Sequence, residues 1–220
     1  MEERRDLGKL KADTLSHPSI EVRHHFDLSL WQSVPLLPEP TSTLLVTWTL
    51  EPAHVDSGMP PIIQNPFAEA LCALGDVVYA ADADAQTAAP QIAQVQVRSG
   101  LRRRLLMLFR ARSAPQVLPA FDSGIHPWSM NAQWLIVTDP SLAFDLLEPL
   151  ARTLYEDWQL PVPWPEALPL LVQAGVDGDA AICHCRDRRI DEQFCTALRL
   201  ATIESGANFK FLDEAPPTRT

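Results

Sequence analysis

An α+β fold is what this sequence predicts: a mixed, largely antiparallel sheet with four or five helices packed on it, in a single domain. Three observations predict it. Strand signals follow one another early in the chain, helix signals intervene only later, and nothing repeats at the period of roughly 20–50 residues that marks a solenoid or propeller. A chain of 220 residues with 46% hydrophobic side chains supplies one sizeable core, hiding roughly 70% of the surface that the unfolded chain exposes. The domain is expected to span residues 20–212. Residues 1–19 read as a charged tail or marginal helix, and 213–220 as a disordered tail.

The elements follow in order. From Ile20 to Leu30 apolar and polar residues alternate strictly, with Ile20, Val22, His24, Phe26, Leu28 and Leu30 on one face; period two over such a length predicts a strand. Thr43–Leu50, rich in β-branched and aromatic residues, predicts a second. Asn65 suits an N-cap, Pro66 the first helical position and Gly75 a left-handed stop, so a two-turn helix is expected between them. The apolar run Asp76–Ala81 then reads as a buried strand. Ile92–Arg98 and Leu101–Arg112 flank Ser99-Gly100 and are read as a hairpin, although Leu101, Leu105, Leu108 and Phe109 also fit a helical stripe.

Pro115–Asn131 reads as a long connector with at most one helical turn. Gln133–Thr138 is an apolar strand. Asp139 is expected to cap a helix that opens at Pro140 and runs to Trp158, with Leu147, Leu150, Leu154, Tyr155 and Trp158 inward and a kink or split at Pro149. Glu166–Ala174 reads as a short helix and Ala180–Arg186 as a strand. Asp187 then caps a helix with the stripe Ile190, Phe194, Leu198 and Ala201, which Gly206 ends. Asn208–Leu212 is an expected edge strand.

Composition narrows the function classes. No stretch approaches the ~20 apolar residues of a membrane span, and the first residues hold no apolar h-region. A cytoplasmic protein with no membrane partner is therefore expected, and the preference for arginine over lysine points to a GC-rich bacterial genome. Cys72, Cys183, Cys185 and Cys195 are expected to be reduced thiols. The net charge of -10 argues against general nucleic-acid binding. That charge is uneven: residues 85–121 hold Arg98, Arg102, Arg103, Arg104, Arg110 and Arg112 and no acid, so this segment is +6 and the remainder is -16, since -10 minus +6 is -16.

No constellation reaches the specificity of a catalytic motif, and no phosphate loop or dinucleotide fingerprint is present. Cys183-His184-Cys185 on a strand puts both thiols on one face, but lacks the further ligands that zinc requires; packing is the expected role. His126 and Trp128 lie in the long connector, where binding residues often sit. With Arg102, Arg103 and Arg104 they form the expected binding set. No cofactor is expected. The favoured reading is a non-catalytic, acidic protein-binding domain of inhibitor, immunity or adaptor type, its partner another protein with a basic surface to match the acidic body. The alternative is a Mg²⁺- or Mn²⁺-dependent enzyme. It requires the strands ending in Asp82, Asp84 and Asp139 to be parallel neighbours, so that their carboxylates meet.

Overall fold

The computed structural model describes residues 18–24, 42–49, 59, 61–82, 87–99, 102–123, 134–157, 163–174 and 180–212. Nine strands form one sheet: β1 Ser19–His24, β2 Ser42–Thr49, β3 Asp76–Ala81, β4 Gln91–Ser99, β5 Arg102–Ala111, β6 Trp134–Thr138, β7 Leu170–Ala174, β8 Ala180–Cys185 and β9 Asn208–Leu212. Their order across the sheet is β4-β5-β3-β6-β7-β8-β2-β1-β9. Every neighbouring pair is antiparallel except β1 with β9. Among the described residues four α-helices pack on it, α1 Pro61–Cys72, α2 Ala114–Ser123, α3 Phe144–Arg152 and α4 Arg188–Glu204. The class is α+β, as the sequence predicts.

Alternation along each strand divides the buried side chains into two cores. On one face Ile20, Val22, Leu44, Val46, Val77, Tyr79, Phe109, Val137, Val172 and Cys183 pack under α1, α2 and α4. At the centre of this layer Phe67 of α1 lies 5.8 Å, ring to ring, from both Phe121 of α2 and Phe194 of α4. On the other face Val78, Val95, Val97, Leu106, Leu108, Trp134 and Ile136 pack under Leu147, Leu150 and Ala151 of α3 and under Leu154. Leu154 belongs to a π-helical turn, Thr153–Asp157, that continues α3. Both faces of the central strands are covered, which explains why β3, β6 and β8 read as continuous apolar runs.

Several expectations hold. Residues 91–99 and 102–111 form the hairpin rather than a helix. Asp187 caps α4, its carboxylate accepting from the Ile190 N–H at 3.0 Å. Gly206 closes that helix at φ +80°, a conformation open to glycine without a Cβ clash. The alternating segment from Ile20 is a strand as far as His24; residues 25–30 lie outside the described residues.

Others need correction. Helix α1 starts at Pro61, so Pro66 lies inside it rather than at its start; Pro61 is itself at the first helical position, where a proline is as well suited. Gly75 has no positive φ. It is needed because the Thr138 carbonyl oxygen would lie 2.4 Å from a Cβ there. The connector after Pro115 holds a full helix, α2, with Pro119 inside it. Asp139 caps no helix: it accepts from the Ser141 N–H at 2.8 Å in a turn, and α3 begins only at Phe144. The helix passes through Pro149 and then widens into the π turn, where the Thr153 hydroxyl donates to the Pro149 carbonyl at 3.1 Å. Leu170–Ala174, expected as helix, is the central strand β7, because a short apolar run has no period that separates strand from helix.

Candidate functional site

Two of the three carboxylates of the expected metal edge, Asp82 and Asp139, do not meet. Strand β3 pairs with β6 antiparallel, Asp76 opposite Thr138 and Tyr79 opposite Leu135. Asp82 follows the end of β3 and Asp139 the end of β6, so they sit at opposite ends of the pair, about seven residues or ~23 Å apart. Each also has its own partner. Arg104 grips Asp82 with two bonds, Nε to Oδ1 at 3.0 Å and Nη2 to Oδ2 at 2.7 Å, which holds that carboxyl below its usual range. Hydrogen bonding to Ser141 does the same for Asp139. Asp84, His126 and Trp128 lie outside the described residues, as does the side chain of Arg102. Among the described residues no three His, Cys, Asp or Glu side chains are grouped to hold a metal.

Cys183 and Cys185 share the apolar face of β8 under α4, and His184 turns to the other face beside Trp134, ring to ring 5.8 Å. Burial pushes both thiols well above their ordinary value, which makes thiolate chemistry unfavourable. Cys195 is raised too, first by burial and then by the charge of Asp191. These cysteines behave as small hydrophobes.

Asp191 itself is a residue the sequence reading passed over. It lies in the first turn of α4, only 3% exposed. His24 Nε2 is 2.8 Å from its Oδ2, the Ser42 hydroxyl donates to the same oxygen, and the Cys195 thiol donates to Oδ1 at 3.5 Å. A signal was available. Asp191, Phe194 and Leu198 follow i, i+3, i+7 on the apolar stripe, and His24 occupies the apolar face of β1. Each is a polar group on a buried face, and such groups need a partner. Chemically the cluster is no relay, because Ser42 bonds the acid rather than the imidazole. It ties the end of β1 and the start of β2 to the helix.

A second internal cluster lies at the other end of β3. Arg110, buried, has its Nε 3.9 Å from Asp76, donates to the Leu142 carbonyl at 3.3 Å and sits 4.9 Å under the ring of Phe144. Arg112 approaches the same Asp76 at 3.5 Å. Three described arginines of the basic segment are thus matched to acids within the fold.

Arg98 and Arg103 are not. They stand directly opposite each other across the β4–β5 hairpin, both are exposed, and neither pairs with an acid among the described residues. Gln94 and Gln96 precede Arg98 on the same face, and Leu105, 47% exposed, stands opposite Gln96. Like charges directly opposite on one face of a sheet repel. This face therefore carries two like charges without a side-chain ion pair among the described residues, on a chain with 28 acids and 18 lysines and arginines; the carboxylate of Glu156 reaches only the Arg98 backbone N–H, at 2.9 Å. Compared with known proteins, the chain matches no family model, no curated protein and no solved structure, so its own geometry carries the functional reading.

Proposed function

We propose that the chain is a non-catalytic protein-binding domain of inhibitor, immunity or adaptor type, and that it engages its partner through the β4–β5 hairpin. The observation that carries this reading is the exposed cross-strand pair Arg98 and Arg103. Arginine is enriched at interfaces because its planar fork binds carboxylates bidentately and its stem still packs on apolar surface. Two such forks side by side cost the free protein some repulsion, which an anionic partner surface relieves. The buried Asp191 cluster supports the reading from the other side, since both carboxylate oxygens accept from side chains within the fold.

The acidic body adds a long-range component. A negative field over most of the surface attracts partners with basic regions and repels acidic ones, so the partner that fits best brings an acidic segment to the hairpin and a basic surface to the body. Affinity capture from the native cell, using the wild-type chain and the Arg98→Glu/Arg103→Glu variant in parallel, tests this. The expected result is a partner retained by the wild type and lost by the variant. Recovery of the chain alone, or of the same proteins with both baits, overturns it.

A further inference from the structure

Resting on that protein-binding reading, we infer that the open edge of β4 takes up an acidic, extended segment of the partner as an added strand, with its carboxylates set beside Arg98 and Arg103. Strand β4 ends the sheet and is hydrogen-bonded to β5 alone among the described strands. In an antiparallel pair alternate residues turn their N–H and C=O away from the neighbour. Arg98 is one of these, because its N–H donates outward to Glu156 Oε1 at 2.9 Å. The register runs unbroken from Gln94 opposite Met107 to Ser99 opposite Arg102. Gln96 and Gln94 therefore turn their backbone groups outward as well. Three outward donors span about 13 Å along the edge; the one at Arg98 is held by the chain's own Glu156, a single bond that an incoming strand replaces with a backbone carbonyl.

The side chains set the sequence that would fit. A strand added to β4 places every second residue on the face of Gln94, Gln96 and Arg98 and the residues between on the face of Val95 and Val97. Val95 and Val97 are buried under α3 and the π turn. The matching segment alternates an acid with a small or β-branched residue. A second copy of the chain fits poorly. Pairing β4 with β4 brings no acid to Arg98 and Arg103, because β4 itself holds none, and the other sheet edge, β9, presents Lys210 bonded to Glu21. An acidic segment of a different chain supplies what these two edges lack.

The test uses the full chain and a fluorescein-labelled nine-residue peptide alternating Glu with Val and Thr, read by fluorescence anisotropy. Saturable binding is expected, at least tenfold weaker for Arg98→Glu/Arg103→Glu. It should also be at least tenfold weaker for Gln96→Pro, which removes an outward N–H but no bond to β5, a substitution that sheet edges tolerate. A peptide N-methylated on alternate residues should lose binding whether or not that variant folds. Undiminished binding of the methylated peptide, or equal binding of one with Lys for Glu, overturns the inference. So does tighter binding of an oligothymidine, which would point to nucleic acid. If capture yields an Arg98- and Arg103-dependent partner but the peptide does not bind, the added strand is wrong and the protein-binding reading stands. If neither occurs, both fall.

Discussion

On the β8–β2–β1 side of the sheet, a buried carboxylate, Asp191, accepts from an imidazole, a hydroxyl and a thiol. On the β4–β5 side, roughly five strand spacings or about 24 Å away, two exposed arginines stand opposite each other and neither side chain pairs with an acid among the described residues. The first arrangement is what burial demands, because a charge removed from water must find donors within the fold. The second is what folding alone would not select, since an acid in place of Arg103 would lower the energy of the hairpin. Charge that the fold satisfies internally reports on architecture. Charge left unsatisfied at the surface is what remains for a partner.

The largest expected effect tests the architectural side. Asp191→Ala leaves His24, Ser42 and Cys195 without their shared acceptor and opens a small void at the start of α4. A loss of about 3 kcal/mol is expected, read as a lower midpoint in urea unfolding with an unchanged slope. A variant as stable as the wild type would mean that this cluster does not anchor β1 and β2 to the helix, and the contrast with the hairpin would collapse.

Much of this was legible in the sequence, and the parts that were not share a cause. Strands with strict alternation or caps with a defined geometry, such as the start of β1, the β4–β5 hairpin and the Asp187 cap of α4, follow from local rules. Strand β7 and helix α2 do not. Leu170–Ala174 is a short apolar run whose conformation is chosen by the strands on either side, and α2 carries a proline that local rules count against a helix. The candidate site divides the same way. The basic segment was visible as a composition bias, but which arginines are compensated depends on pairing across 22 residues for Arg104 with Asp82 and across 34 for Arg110 with Asp76. Asp82 and Asp139 failed to meet for a single topological reason: β3 and β6 are antiparallel.

One turn before Asp191, Asp187 provides an intermediate case, a half-buried carboxylate held by the fold. Burial opposes its ionisation, yet the Ile190 N–H and then Arg186 outweigh that and hold its carboxyl below the usual range. A carboxylate with a depressed folded value stabilises the protein above its unfolded value of about 3.9, and that contribution is lost as pH falls through the folded value. Asp187→Ala is therefore expected to cost about 1 kcal/mol at neutral pH. The difference from wild type should shrink as unfolding is measured at successively lower pH below 4. A difference independent of pH would assign the effect to helix propensity rather than to the charged cap.

The smallest effect is the sharpest, because its sign is unusual. Arg98 and Arg103 repel across the hairpin, so Arg103→Glu alone should raise stability by about 0.2–1 kcal/mol, whereas Arg98→Glu also sets a carboxylate beside Glu156, which bonds the Arg98 N–H at 2.9 Å, and should gain less. Each single change converts a like pair into an opposite one. The double reversal restores a like pair, so its stability should fall back toward wild type and the two single gains should fail to add. At 1 M salt, where the screening length is about 3 Å, the gains should shrink. Both side chains are exposed, so packing is a small competing term. A destabilising single reversal would mean that the two arginines hold a structural acid, and the surface would then belong with Asp191 rather than opposite it. A stabilising one means that the fold retains an arginine pair it would be more stable without, as a surface shaped by binding does.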